Sequence, residues 1–132
     1  MIYAFGQKNV AITGAGMLDG QADESNWLAW KGKKIPAEGT QFAARTRLNQ
    51  MNNDDVPVAG RIFGEGDFLR PDFIQFNRCK NVLIEGVKIR RSPMWEIHPL
   101  LCTNVTVRGV DIVSHGANND GCDPRKLPRR AN

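Results

Sequence analysis

Apolar and polar residues alternate along three short segments of the chain, a pattern typical of a β-strand with one buried face. The apolar members of these segments are Val10 and Ile12, Val82 and Ile84, and Val105 and Val107. Gly86 and Gly109 interrupt the last two segments, and a second short strand is expected after each glycine, at 87–89 and 110–112. Each unit is therefore predicted to be a strand, a bend and a second strand.

The second and third segments belong to a repeat. Residues 79–89 align without gaps on residues 102–112 at an offset of 23 residues, and more than half of the aligned positions carry the same residue. Residues 8–14 are a weaker copy. One coil of this length cannot bury its own apolar face, but stacked coils bury a continuous apolar column. The repeat predicts an all-β fold, a parallel β-helix in which residues 79–89 lie directly above or below residues 102–112.

Stacking at this period makes further predictions about side chains. Equivalent residues of successive coils would lie roughly 4.8 Å apart, the strand spacing of any sheet. Asn81 would then form a ladder with Asn104, and Cys79 a ladder with Cys102. An ordinary β-sandwich with accidental internal similarity is the alternative.

Residues from about 21 to 69 break the repeat. Residues 42–51 are expected to form one or two helical turns, and residues 52–57 are rich in turn formers. We interpret 21–69 as a long loop excursion from one edge of the solenoid. Loops of this length are usually functional or poorly ordered.

Charge and composition narrow the function classes. The formal net charge is +4, but residues 125–132 hold four of the 18 basic residues and no acidic one, so residues 1–124 are neutral overall. No nucleic-acid partner is therefore expected. No run of eighteen apolar residues and no signal peptide is apparent, so no membrane partner is expected and localisation is left unassigned.

The cysteines are interpreted as buried apolar groups: Cys79, Cys102 and Cys122. No metal or cofactor is predicted.

Four motifs occur in order along the chain. They are GAGMLDG at 14–20, RP at 70–71, SPMWEIHP at 92–99 and NNDGCD at 118–123. Together they resemble glycoside hydrolase family 28, the polygalacturonases, whose characteristic order is G-x-G-x-I-D-G, R-P, S-P-x-W-x-I-H and N-T-D-G-x-D. The resemblance implies a right-handed parallel β-helix of the pectin-lyase-like type. Residues 1–124 would be an incomplete β-helix domain and residues 125–132 an aberrant basic tail.

The resemblance also implies an activity, the inverting hydrolysis of galacturonosyl or related linkages of pectin without a metal. Such a reaction needs one carboxylic acid and one carboxylate. Carried over by position, Asp120 is a catalytic aspartate that helps to activate water. Asn119 stands where the family commonly has Thr, and Asn118, Asn119, Trp95 and His98 are weaker candidates for substrate binding, although His98 is more often structural.

The family's other catalytic elements, an adjacent aspartate pair, G-H-G and R-x-K, do not follow Asp123. The side chain of Asp123 is expected to face away from Asp120, buried or capping a turn. We therefore expect the chain itself to be inactive, and its partners to be a pectic polysaccharide or oligosaccharide and, through the exposed solenoid end, other copies of itself. Full-length members of the family are secreted or periplasmic. Two alternatives stay open: a non-catalytic carbohydrate-binding β-solenoid, and a pectate-lyase-like β-helix that uses calcium.

Overall fold

The computed structural model describes residues 1–32 and 38–125 of the 132 residues. Within these ranges the chain forms nine β-strands, one α-helix and two short 3-10 helices. The strands are β1 (Ile2–Phe5), β2 (Lys8–Thr13), β3 (Met17–Asp19), β4 (Ile74–Asn77), β5 (Lys80–Glu85), β6 (Lys88–Arg90), β7 (Ile97–Leu100), β8 (Thr103–Arg108) and β9 (Asp111–Val113). The α-helix is α1 (Phe42–Asn53), and the 3-10 helices are Ala29–Lys31 and Val58–Gly60.

The strands pair in parallel into three sheets. Their orders are β1-β4-β7, β2-β5-β8 and β3-β6-β9, so each strand pairs with the strand three positions later in the chain. Three consecutive strands thus make one coil, and the coils stack. The parallel β-helix is confirmed, and the β-sandwich alternative is wrong because a sandwich is built from antiparallel pairs.

The register follows the sequence repeat. Val82 pairs with Val105 at the offset of 23 residues predicted from the repeat, whereas Val10 pairs with Val82 at an offset of 72. The difference is 49 residues, which is the length of the segment 22–70. Removing that segment would leave a coil of the regular length.

The core is the column of apolar residues that the coils stack inside the solenoid. Val82 and Ile84 are buried, as predicted from their alternation, and Val105 and Val107 pack partly buried against them. The last pair is less buried because no strand in the described part of the chain pairs with the far side of β8. Burial of apolar surface contributes roughly 25 cal/mol per Å², so this column stabilises the stack of coils.

A ladder of asparagines runs along the outside of the solenoid. Asn81 donates its side-chain amide to Asn9 at 2.9 Å, and Asn104 donates to Asn81 at 2.9 Å. All three residues have left-handed backbones, with φ of 56° or 57°. Asparagine is one of the few residues other than glycine that tolerates this conformation, so the ladder both fits and stabilises the bend at each coil.

The cysteines only partly follow expectation. Cys79 and Cys102 are buried at equivalent positions of successive coils, and Cys102 donates its thiol to the carbonyl oxygen of Phe76 at 3.0 Å. Cys122 is exposed, so its prediction as a buried group is wrong. It lies where the solenoid ends in the described residues, paired to Ile97 by an isolated bridge, and no further coil covers it there.

Residues 22–32 and 38–70 form a compact unit of their own, distinct from the solenoid of residues 1–21 and 71–125. Within this unit Arg47 forms an ion pair with Asp67 at 2.7 Å and lies over the ring of Phe63. The helix α1 is longer than the one or two turns predicted, because residues 42–53 contain neither Gly nor Pro to interrupt it. No helix among the described residues is long and apolar enough to cross a membrane.

The predicted basic tail falls largely outside the described residues, which end at Arg125. That residue still belongs to the stack: its backbone N–H donates to the carbonyl oxygen of Pro99 at 2.9 Å, and its own carbonyl accepts from Leu101 at 2.7 Å.

Candidate active site

Asp120 lies on the segment that joins β9 to the start of the next coil. The backbone N–H of Glu96 donates to the carbonyl oxygen of Asp120 at 3.1 Å, and Ile97 donates to Gly121 in the same way. These two bonds fix the main chain of Asp120 against the entry to β7. Asp120 itself is exposed, so its carboxylate is open to solvent and to a ligand on the outer surface.

The two asparagines before Asp120 have different surroundings. Asn118 is exposed and has a left-handed backbone, with φ of 63°. Asn119 is half-buried, and its side-chain amide donates to the carbonyl oxygen of Ser92 at 3.0 Å. Asn119 therefore ties the segment that bears Asp120 to the coil below it, while Asn118 faces outward.

Glu96 is a carboxyl group beside Asp120 that the sequence did not single out. It is 0% exposed, and neither of its carboxyl oxygens has a hydrogen bond of normal geometry in the described part of the chain. Burial raises the pKa of Glu96, and the charge of Asp120 adds to the rise, while hydrogen bonding from the side chains of Ser114 and Asn119 and from the backbone of Glu96 opposes it. The combination disposes Glu96 to hold a proton.

The sequence carried no usable signal for Glu96. It occupies a variable position of the motif at 92–99, and it directly precedes the buried Ile97, so alternation places it on the solvent face. The alternation rule fails here because Glu96 precedes β7 and is covered by residues of the next coil, Ser114 and Asn119 among its neighbours.

His98 lies in a buried cluster on the first sheet. Its Nδ1 is 2.7 Å from a carboxylate oxygen of Asp72, and the side-chain amide of Gln75 donates to the same oxygen at 2.8 Å. The carboxylate cannot donate, so the hydrogen on Nδ1 points to Asp72 and the histidine keeps that tautomer when neutral. His98 is fixed by this contact, and with only 6% of its surface exposed it offers little area to a ligand.

Trp95 packs beside this cluster. Its ring meets the ring of His98 edge to face, with centroids 5.0 Å apart, and the guanidinium of Arg125 lies 5.3 Å from the Trp95 ring centroid. Trp95 is half-buried, so part of its surface remains accessible. An aromatic face of this kind can pack on a sugar ring or stay as a packing element.

Asp123 is the other carboxylate in the motif at 118–123. Its backbone N–H donates to the carbonyl oxygen of Ile97 at 2.9 Å, and its carboxylate accepts from Nε of Arg125 at 3.2 Å. It is therefore half-buried and ion-paired. Among residues 1–32 and 38–125 no three His, Cys, Asp or Glu side chains come together in a group that could hold a metal ion.

Comparison with known proteins gives the following. No protein-family model matches the chain. Over 63 residues it is 27% identical to a Vitis vinifera protein named "Probable polygalacturonase", a match that spans 46% of this chain and 13% of that protein. Among solved structures, a hyperthermoactive exopolygalacturonase from Thermotoga maritima is 52% identical, with a TM-score of 0.86 over 92% of this chain and 28% of that one. The chain thus spans less than a third of the length of either protein.

Proposed function

We propose that the protein to which this chain belongs is a polygalacturonase of glycoside hydrolase family 28, which hydrolyses galacturonosyl or related linkages of pectin with inversion at the anomeric carbon. The observation that carries the proposal is the 52% identity to an exopolygalacturonase over 92% of this chain. The parallel β-helix and the exposed position of Asp120 support it. The substrate would be a pectic polysaccharide or oligosaccharide.

Asp120 is the residue to which we assign chemistry. Inverting hydrolysis divides its work between a carboxylic acid that protonates the leaving oxygen and a carboxylate that activates water, about 6.5–9.5 Å apart. Asp120 is exposed on a segment whose backbone is fixed, which suits a group that must meet both substrate and water. We assign it a share in water activation.

The four weaker candidates divide into two pairs. Asn118 and Trp95 keep accessible surface, and we propose that they border the sugar. Asn119 and His98 have polar atoms engaged with Ser92 and with Asp72, so we propose that they contribute to binding by holding the surface in place.

The second carboxyl group of the pair is proposed to lie outside these 132 residues. Glu96 has a raised pKa, as a general acid needs, but it is 0% exposed and cannot reach a sugar oxygen. Asp123 is engaged by Arg125. The 132-residue chain should therefore release reducing ends from polygalacturonate only at the background rate.

The assignment of Asp120 can be tested in a chimera that carries residues 1–125 in place of the matching segment of the Thermotoga maritima exopolygalacturonase. The chimera should release reducing ends from polygalacturonate. Asp120→Asn should lower its kcat on the order of a hundredfold, the usual scale for loss of a general acid or base. Asp54→Asn, which changes an exposed carboxylate of the 22–70 unit, is the matched control and should leave the rate unchanged. An Asp120→Asn chimera with normal turnover would disprove the assignment.

The end of the solenoid is proposed to mediate self-association. In the described residues β8 and β9 each have one unpaired edge, and three apolar residues of these strands are only partly buried: Val105, Val107 and Ile112. A strand with an unpaired edge and partly exposed apolar side chains favours pairing with a strand of another chain. Analytical ultracentrifugation of the 132-residue chain should detect dimers or larger species, and a concentration-independent monomer would contradict the proposal.

A further inference from the structure

Beneath the segment that carries Asp120 lies a cluster of buried polar groups. Ser92 is at its centre: its backbone N–H donates to Oγ of Ser114 at 3.1 Å, its carbonyl accepts from Asn119 at 3.0 Å, and its own hydroxyl donates to the carbonyl oxygen of Met94 at 2.7 Å. Ser92 and Glu96 are both 0% exposed. The cluster is thus a closed polar site that spans two coils.

This cluster holds more acceptors than donors. Both carboxyl oxygens of Glu96 and the side-chain oxygen of Asn119 are buried without a hydrogen bond of normal geometry in the described part of the chain. Each buried acceptor left without a donor costs about 1–3 kcal/mol. Two hydrogens face these three oxygens: the second amide hydrogen of Asn119, whose first goes to Ser92, and the hydroxyl hydrogen of Ser114. One additional hydrogen would remove the shortage, and a carboxyl group is the one group here that can gain one.

We propose that Glu96 is held as a neutral carboxylic acid that donates its proton to the side-chain oxygen of Asn119 and so positions the segment that bears Asp120. Glu96 then holds this segment at two points. The backbone N–H of Glu96 donates to the carbonyl oxygen of Asp120, and in this proposal its side chain donates to Asn119, the residue before Asp120. Because Glu96 is fully buried it touches no substrate, so it is a positioning residue.

The charges around Glu96 favour this state. Burial raises its pKa, and the negative charge of Asp120 raises that pKa further. Hydrogen bonding from the side chains of Ser114 and Asn119 and from the backbone of Glu96 itself lowers the pKa. These donors define the rival arrangement, in which Glu96 is ionised and the two side chains turn to donate to it. A neutral Glu96 also places no second negative charge beside Asp120.

A protonated Glu96 predicts the direction in which the free energy of unfolding changes with pH. The folded state holds the proton above the ordinary Glu pKa of 4.5, where the unfolded state loses it. The free energy of unfolding therefore falls as pH rises from 4.5 through the raised folded-state pKa of Glu96. Gln has the shape of a protonated Glu and a donor that does not titrate, so Glu96→Gln should remove this part of the pH dependence.

The test is a carbon-13 NMR titration of the 132-residue chain that follows the side-chain carboxyl carbons of Glu96 and Asp120. We expect Glu96 to titrate clearly above 4.5, and the Asp120 carbon to show a second, smaller step at the same pH. In Glu96→Gln that second step should vanish, while the amide signals of Asn119 and Asp120 stay where they are in the unsubstituted chain. Glu96→Ala should move those amide signals.

The matched control is Glu85→Gln, which removes a carboxylate that is ion-paired to Arg108 on the outer surface and should change neither the step nor the amide signals. Titration of Glu96 at or below 4.5, or amide shifts in Glu96→Gln as large as those in Glu96→Ala, would overturn the proposal. If Glu96→Ala fails to fold, the titration and the Gln variant still decide. The inference rests on the proposed function only through the importance of Asp120. It can fail while the chimera is active, and it can hold if Asp120→Asn proves harmless.

Discussion

Gly86 and Gly109 occupy the same bend in successive coils. Replacing each by alanine separates the cost of a strained backbone from the cost of a steric clash. Both have left-handed backbones, with φ of 78° and 58°, so each alanine would carry the same kind of backbone strain. The two glycines differ in the room that a Cβ atom would have. A Cβ on Gly86 would lie 2.6 Å from the carbonyl oxygen of Gly14 in the coil below, whereas a Cβ on Gly109 would meet its nearest atom, the backbone N of Gly86, at 3.9 Å.

The magnitudes follow from this difference. A left-handed backbone costs a residue with a Cβ roughly 1–2 kcal/mol, so Gly109→Ala should lower the free energy of unfolding by about that amount. Gly86→Ala adds a clash with a backbone oxygen, which can move only if two stacked coils separate. Overpacking of this kind costs typically about 1–3 kcal/mol more. We therefore expect Gly86→Ala to be the more destabilising by about 1–3 kcal/mol.

Urea unfolding followed by far-ultraviolet circular dichroism measures both values on the 132-residue chain, with the m-value checked for constancy. Gly16→Ala is the control, because Gly16 has no left-handed backbone and a Cβ there would have no atom within 4 Å. It should change stability by less than about 0.5 kcal/mol. Equal losses for Gly86→Ala and Gly109→Ala would refute the reasoning, since they would mean that the stacking distance at Gly14 imposes no constraint.

Two further predictions concern ladders and ion pairs. Asn81→Ala removes two ladder hydrogen bonds and Asn104→Ala removes one, so urea unfolding should show Asn81→Ala to be the more costly by about 1 kcal/mol, and equal losses would contradict a continuous ladder. Hydrogen bonds from Arg91 hold the pKa of Asp19 below its usual 3.8. Ionised Asp19 therefore stabilises the folded state above pH 3.8, and this contribution is lost as the pH falls through the lower pKa of the folded state. Asp19→Asn should flatten the acid limb of a plot of melting temperature against pH, and an unchanged limb would show that the pair contributes nothing.

The sequence was sufficient for the solenoid because its determinants are local and repeat. Alternation placed Val82 and Ile84 inside, and the period of 23 residues paired residues 79–89 with 102–112 in the register that the structure has. The Asn81–Asn104 ladder followed from the same period. Each of these predictions needs only the rule that equivalent positions stack.

The candidate site was less predictable because its surroundings come from distant parts of the chain. Glu96 is buried by a segment about twenty residues later, which no local pattern encodes. His98 is held by Asp72, across a coil, and the exposure of Cys122 depends on what covers the last described coil. The motif order brought attention to Asp120, but its exposure and its backbone anchoring are properties of the folded stack.

The asparagine ladder gives the solenoid a chemical direction. Each amide donates to the coil before it and accepts from the coil after it, so among the described residues the row begins with the NH₂ group of Asn9 and finishes with the carbonyl oxygen of Asn104. Two copies that meet head to tail could continue the row with a matched donor and acceptor. Copies that meet through identical ends would bring like groups together, so the proposed self-association would be head to tail, which favours open filaments over closed dimers.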